Sequence, residues 1–232
     1  MSPSLLEIER VRTYLGRRLL CQLATTEKRI ALTFDDGPNP RITPALLDLL
    51  AAKGITATFF VVGRRVRRFG DLVARTAAAG HEIGNHGDHH VALSPLPTPL
   101  IRRELTVCSD LVAGVTGQRP RFMRPPMGWF DERVLRAARD LGMHPVIGSV
   151  HPQDSRRPGT GTILDRLRRG AAPGAVIILH DGGWRLGVDR SQTLAAVDVA
   201  TDEWLAAGYR FETVGQLFGA EADAAWSASD AI

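Results

Sequence analysis

Short, unbroken apolar runs alternate along this chain with longer stretches in which apolar residues return every three or four positions. The first run, Ile30-Ala31-Leu32-Thr33-Phe34, ends abruptly in Asp35-Asp36-Gly37-Pro38. A run of that length bounded by a turn signal predicts a buried strand. Thr43-Pro44 then reads as an N-cap followed by a first-turn proline, opening a helix through Ala45 to Ala52 that Gly54 stops. The same alternation continues with strands expected at 57–63, 82–85, 121–124, 144–150, 175–179 and 209–214. Helices are expected between them at 64–79, 98–116, 131–141, 163–169 and 191–207. Leu5, Ile8, Val11, Leu15 and Leu19 recur at helical spacing and predict a further amphipathic helix ahead of the first strand. Residues 1–28 therefore read as a helix and lead-in, 29–218 as one domain and 219–232 as a small, polar tail. Seven β/α alternations predict an α/β fold of parallel strands wrapped by helices, with a distorted (β/α)7-8 barrel as first choice and an open doubly wound sheet as second.

Composition narrows this only a little. The chain of 232 residues, 44% of them hydrophobic, is long enough to bury the core of a single large domain. Net charge is +4, and of 29 basic residues only Lys28 and Lys53 are lysines. Arginines cluster as Arg64-Arg65, Arg67-Arg68, Arg102-Arg103, Arg156-Arg157 and Arg168-Arg169. They read first as solvated helix faces and second as a basic rim for an anionic polymer or membrane surface. No nucleic-acid module is recognisable, so a nucleic-acid partner is not expected. Cys21 and Cys108 sit in no ligand-like spacing and are expected to be buried free thiols. The charged N-terminus fits neither a signal peptide nor a transmembrane segment, which leads to an expectation of a cytoplasmic protein. Oligomeric state is not readable.

The polar residues gather where predicted strands end, the position at which such folds carry their chemistry. Asp35 and Asp36 follow the first strand, although Asp-Gly-Pro is also an ordinary turn. Two adjacent carboxylates reaching one cavity are costly unless something separates their roles, and a bound cation is the usual remedy. In Asn85-His86-Gly87-Asp88-His89-His90, His86 and His90 are four apart and share a face if the loop makes a helical turn. With Asp36 they could hold one zinc-like ion and leave a position open for water and substrate. Asp88 could orient a ligating imidazole, while His89 points away. Arg124, before Pro125-Pro126, can hold Asp35 in place. His180 ends an apolar strand and suits a general acid, with Asp154 placed to orient it and keep it protonated; a hydrogen-bonded core histidine is the plainer reading.

These residues resemble the polysaccharide deacetylases with a NodB homology domain, carbohydrate esterase family 4. The resemblance runs from about Arg29 to Phe218 through five ordered motifs. They are Thr33-Phe34-Asp35-Asp36-Gly37-Pro38, the His86 and His90 segment, Arg124-Pro125-Pro126-Met127-Gly128, His151-Pro152-Gln153-Asp154 and Ile178-Leu179-His180. It implies a barrel of the NodB homology type and a metal-dependent deacetylation of an N-acetylglucosamine-containing saccharide or glycoconjugate, with acetate released. Asp36, His86 and His90 would hold the metal, expected to be Zn2+ with Co2+ or Ni2+ as alternatives. Asp35 would be the base, positioned by Arg124, and His180 the acid, supported by Asp154. The backbone N–H of Met127 would face the oxyanion, and Ile178 would line the acetyl methyl pocket.

Four positions depart from the family pattern. Gly87 stands where Ser or Thr is usual, Met127 where Tyr is usual, His151 where an acid is common and Ser155 where Trp is common. Trp129 or Trp184 is expected to supply the sugar-stacking surface instead. The alternatives are an O-acetyl esterase, a deacylase of a specialised metabolite, or a non-catalytic carbohydrate-binding relative.

Overall fold

The structure is a computed structural model that describes residues 19–219. The expected N-terminal helix, apart from Leu19, and the tail from residue 220 lie outside the described residues. The elements in chain order are β1 (Arg29–Gly37), α1 (Ile42–Ala52), β2 (Thr58–Val61), α2 (Gly63–Ala78), β3 (Glu82–Asn85), α3 (Thr98–Thr116) and β4 (Phe122–Met123). They continue with α4 (Glu132–Asp140), β5 (His144–Pro145), α5 (Thr160–Gly170), β6 (Val176–His180), α6 (Ser191–Ala206) and β7 (Arg210–Phe211). Short 3-10 turns at Pro126–Gly128 and Asp154–Arg156 follow β4 and β5. The strands pair in parallel in the order β5-β4-β3-β2-β1-β6, with β7 beside the start of β1.

This sheet curls into a half-barrel rather than lying open. Isolated bridges between Val150 and Ile177, Leu20 and Val146, and Gln22 and Ala175 draw its outer edges together. They also explain why the single strand expected at 144–150 does not form. Val146 N–H donates to Met123 O, Ile147 N–H to Leu20 O and Ser149 N–H to Val176 O, so the segment changes partner as it crosses the gap.

Period-two alternation along the buried strands sorts their residues onto two surfaces. Ile30, Leu32 and Phe34 of β1, Phe59 and Val61 of β2 and Ile177 and Leu179 of β6 pack outward with residues of α1, α2, α5 and α6. Ala31, Phe60, Phe122, Val146 and Val176 turn inward and are sealed below by Val214, Leu217 and Phe218. On β1 the inward series continues from Ala31 to Thr33 and Asp35, and on β6 from Val176 to Ile178 and His180. Asp35 and His180 are register partners. The same alternation that builds the core thus places an acid and an imidazole side by side at the carboxyl end of the sheet.

Local signals are met unevenly. Asp131 caps α4, its Oδ1 accepting from the N–H groups of Arg133 and Val134 at 3.0 and 3.1 Å. Gly117, with φ of 75°, closes α3 in the left-handed conformation that lets glycine end a helix. Thr43 is not an N-cap. α1 begins at Ile42, and the Thr43 hydroxyl is committed elsewhere, accepting from Asn39 N–H and donating to Asp181 Oδ2. Both cysteines are free; Cys108 is buried, but Cys21 is exposed, lying in the lead-in between two bridge residues instead of in the core. No described helix is long and apolar enough to cross a membrane.

Candidate active site

Asp35 and Asp36 reach one cavity because β1 is bulged between them. Asp35 is paired with Phe60 and Gly37 with Val61, which leaves Asp36 as the extra residue, in a left-handed conformation with φ of 70°. That conformation costs a non-glycine residue roughly 1–2 kcal/mol, least for Asp and Asn. It turns Asp36 off the outward series to which it would belong by parity. Both acids are nearly fully buried. Gly37 is required at the next position, since a Cβ there would sit 2.4 Å from the Asp181 carboxylate. Asp181 is itself buried, and burial pushes its carboxyl up to about 7.

Asp35 is held by a stack that passes through three strands. Arg124 Nη1 donates to Asp35 Oδ1 and to Thr33 Oγ1, each at 2.7 Å, and its Nε to Val146 O at 3.3 Å. The guanidinium carbon lies 4.2 Å from the centre of the Phe60 ring, within cation–π range. Phe60 can lie there because β3 has glycine opposite it: a Cβ on Gly84 would meet the ring at 2.4 Å. Burial lowers the Arg124 pKa and the Asp35 carboxylate opposes that shift.

The two histidines converge without the expected helical turn. Residues 86–90 form a bent loop in which Gly87 and His90 take φ values of 73° and 57°. His90 Nε2 lies 2.8 Å and His86 Nε2 3.4 Å from Asp36 Oδ1. Asp88 orients neither imidazole; its carboxylate receives both Nη atoms of Arg67, at 2.7 and 2.9 Å. His86 is oriented instead by the Arg124 carbonyl, 2.7 Å from its Nδ1. That contact requires the proton on Nδ1 and leaves a lone pair on Nε2 facing the carboxylate. Glu104 of α3 holds the loop's backbone, its Oε2 accepting from the N–H groups of Asp88 and His89 at 3.0 and 2.8 Å, while Oε1 meets His89 Nδ1 at 2.7 Å. Asn85 Oδ1 accepts from Gly87 N–H at 2.8 Å.

Asp36, His86 and His90 form a buried group whose three ligand atoms lie within 4.8 Å of one another and could hold a metal ion. The group fits such an ion on its own terms. Asp36 Oδ1 is buried and receives no hydrogen bond, although two ring nitrogens face it. A cation satisfies the carboxylate and both nitrogen lone pairs together, in the donor set that suits zinc-like ions.

On the opposite wall His180 Nδ1 meets Asp154 Oδ1 at 2.8 Å, and Asp154 Oδ2 accepts from His180 N–H and Thr193 Oγ1, both at 2.9 Å. Burial works against the imidazolium, yet the Asp154 bond and the nearby Asp35 and Asp36 charges outweigh it and push His180 up to about 9. Behind this pair the buried Arg190 donates to Gly182 O at 2.6 Å and to Ser155 O at 3.1 Å. The open cavity between them, about 430 Å3, is lined by both acids, both loop histidines, Arg124 and His180.

Sequence comparison matches residues 22–146 to the Polysaccharide deacetylase family. The chain is 37% identical over 198 residues to a peptidoglycan-N-acetylglucosamine deacetylase of Bacillus cereus, covering 84% of this chain and 91% of that one. The chain belongs to the polysaccharide deacetylase family. It is also 35% identical over 193 residues to a chitooligosaccharide deacetylase of Rhizobium leguminosarum bv. trifolii, covering 80% and 90% of the two chains. Among solved structures, a peptidoglycan N-acetylglucosamine deacetylase in complex with a naphthalenyl N-oxidanyl-benzamide superposes with a TM-score of 0.81 at 29% identity, over 88% of this chain and 95% of that one. A carbohydrate esterase family 4 pseudoenzyme from Bacillus anthracis gives 0.79 at 26%, over 86% and 68%.

The walls of the cavity differ from the sequence expectation in one respect. Met127, with φ of 60°, and Ile178 line the cavity, and Trp184 stands at its mouth with its ring edge-on to His90 at 6.0 Å. Trp129 does not line it; the turn at Pro126–Gly128 directs the chain so that Trp129 is exposed outside the cavity. His151, Gln153, Ser155 and Arg156 complete the wall beside His180. Thr33, Phe60, Gly84, Glu104, Thr193 and Arg190 support the site, and sequence reasoning missed all six. Only the parity of Thr33 and Phe60 on their strands carried a signal that could have found any of them.

Proposed function

We propose that this chain is a metal-dependent N-deacetylase that hydrolyses the acetamide of an N-acetylglucosamine-containing saccharide. The observation that carries this reading is the placement of two separately supported groups, Asp35 on Arg124 and His180 on Asp154, in one cavity around the Asp36, His86 and His90 cluster. Asp36, His86 and His90 would hold a divalent metal, Zn2+ with Co2+ and Ni2+ as alternatives, which when bound would supply Lewis-acid polarisation of the acetamide carbonyl and a more acidic water. Asp35 accepts the proton that water loses as its oxygen bonds to the acetyl carbon. His180, with Nδ1 engaged by Asp154, presents Nε2 to the sugar nitrogen and protonates it as the carbon–nitrogen bond breaks, giving acetate and a free amine.

Ile178 forms the apolar wall for the acetyl methyl, and Trp184 offers its face to a sugar ring. The backbone N–H of Met127 is the expected donor to the developing oxyanion. The fold alone does not decide turnover, because a pseudoenzyme shares it. A binder has no need of a base and an acid each held by its own partner, Asp35 by Arg124 and His180 by Asp154, and this supports catalysis. The test is a panel of N-acetylated chito-oligosaccharides and peptidoglycan fragments, incubated with each metal and scored for acetate and for free amine. Acetate without amine would indicate an O-acetyl esterase, and tight binding without acetate under every metal would overturn the deacetylase reading.

A further inference from the structure

Two of the arginine pairs along the sequence lie near the cavity, Arg156 in its lining and Arg64 against the Trp184 carbonyl, and in each pair one member is committed within the protein. Arg65 is buried and donates to the carbonyls of Gly183 and Arg185. Arg157 reaches Asp189 Oδ2 at 3.6 Å. The other members, Arg64 and Arg156, are exposed, and neither enters an ion pair among the described residues. Arg156 lines the cavity beside His180. Arg64 makes one long side-chain contact, Nη2 to the Trp184 carbonyl at 3.4 Å, beside the residue whose ring stands at the mouth.

Neither guanidinium is there to neutralise the site. Asp35 already has Arg124, Asp154 has His180, and Asp36 faces two imidazoles. Arg64 stands in the first turn of α2, which contains no acid and where the helix dipole disfavours a cation. Arg156 projects from a turn held from behind by Arg190 on the Asp154 and Ser155 carbonyls and by Arg166 on the Pro152 carbonyl at 2.9 Å. A fixed backbone carrying an unpaired planar fork, next to a wall kept open by the small Ser155, is the arrangement that binds a carboxylate or phosphate.

We infer that Arg156, assisted by Arg64, forms an oxyanion subsite that selects saccharides bearing an acidic substituent on a ring next to the N-acetylated sugar. The inference rests on the deacetylase reading and adds a substrate class to it. It is tested with the metal-loaded full chain on three tetrasaccharides: a neutral N-acetylated one, one carrying lactyl-ether carboxylates, and one carrying phosphate monoesters. The wild type is expected to prefer an acidic substrate, and the better of the two identifies the oxyanion. In R156A the acidic-to-neutral ratio of kcat/KM should fall at least about tenfold, the loss of one charge-assisted pair. R156K should restore part of it. The wild-type ratio should also fall between about 50 and 500 mM salt, and the R156A ratio should not.

An unchanged ratio in R156A and in the R64A/R156A double variant would overturn the inference. Equilibrium binding of the same saccharides to Asp35→Asn, with and without R156A, reads the same ratio without turnover. Absence of acetate release would therefore count against the deacetylase reading alone, and the affinities would still decide the subsite.

Discussion

His180 Nδ1 and Asp154 Oδ1 stand 2.8 Å apart, and this pair keeps an imidazole charged inside a cavity that would otherwise neutralise it. Removing the carboxylate in Asp154→Asn should lower the His180 pKa from its value of about 9, because burial then acts with less opposition. The alkaline limb of the kcat profile should move down by more than about one pH unit, with kcat reduced by roughly 10²–10⁴. A cation beside Asp36 cancels part of the carboxylate field on His180 but leaves the direction of this change intact. An alkaline limb in its original place would remove Asp154 from the account.

The same pair makes a prediction about stability. A raised folded-state pKa contributes stability that is complete below the unfolded histidine value of about 6.5 and is lost as pH rises through the folded value of about 9. Asp154→Asn should therefore be most destabilised, relative to wild type, near pH 6, and the two proteins should converge above about pH 9. Thermal melts of both proteins across that range supply the comparison.

Asp35 and Asp36 are adjacent but should fail differently. Asp35→Asn keeps all three atoms of the candidate metal group and should retain metal content while losing about 10²–10⁴ in turnover. His86→Ala removes one ligand and should lose metal and activity together; chelation of the wild type should do the same reversibly and lower Tm. Elemental analysis beside acetate release separates these outcomes, and unchanged turnover in Asp35→Asn would sink the mechanism.

Gly84 reaches Asp35 only through other residues. A methyl at this position would overlap the Phe60 ring, so Gly84→Ala should cost about 1–3 kcal/mol as an overpacked core and displace the surface on which Arg124 lies. Denaturant unfolding should show the cost. Adding Phe60→Leu should recover part of the stability without recovering kcat, since the cation–π contact is then gone.

Glu104 offers the corresponding test on the loop. Its carboxylate accepts two loop N–H groups and touches no member of the metal group. Glu104→Ala should weaken metal affinity by about 10–100-fold, as loss of outer support does at metal sites, while α3 keeps its buried face. Competition with a chromophoric chelator measures the shift, and unaltered affinity would show that Gly87 and Asn85 suffice to hold the loop.

The chain by itself determined the alternation of strands and helices, because unbroken apolar runs and three-to-four-residue spacing are local properties of a sequence. It also determined that acids, imidazoles and one guanidinium collect at strand ends, and the order of the five motifs that resemble the deacetylase family. Tertiary structure decided how those groups meet. A bulge turns Asp36 into the cavity, a left-handed loop instead of a helical turn joins His86 to His90, and register sets Asp35 beside His180. It also set Trp129 outside the cavity and Arg156 in its lining, with no ion partner for Arg156 among the described residues. None of these follows from spacing along the chain, since each depends on which segments, often more than twenty residues apart, share one curled sheet. The half-barrel's bridges have the same origin, as residues 146–150 are only locally strand-like and take their partners in turn from β4, Leu20 and β6.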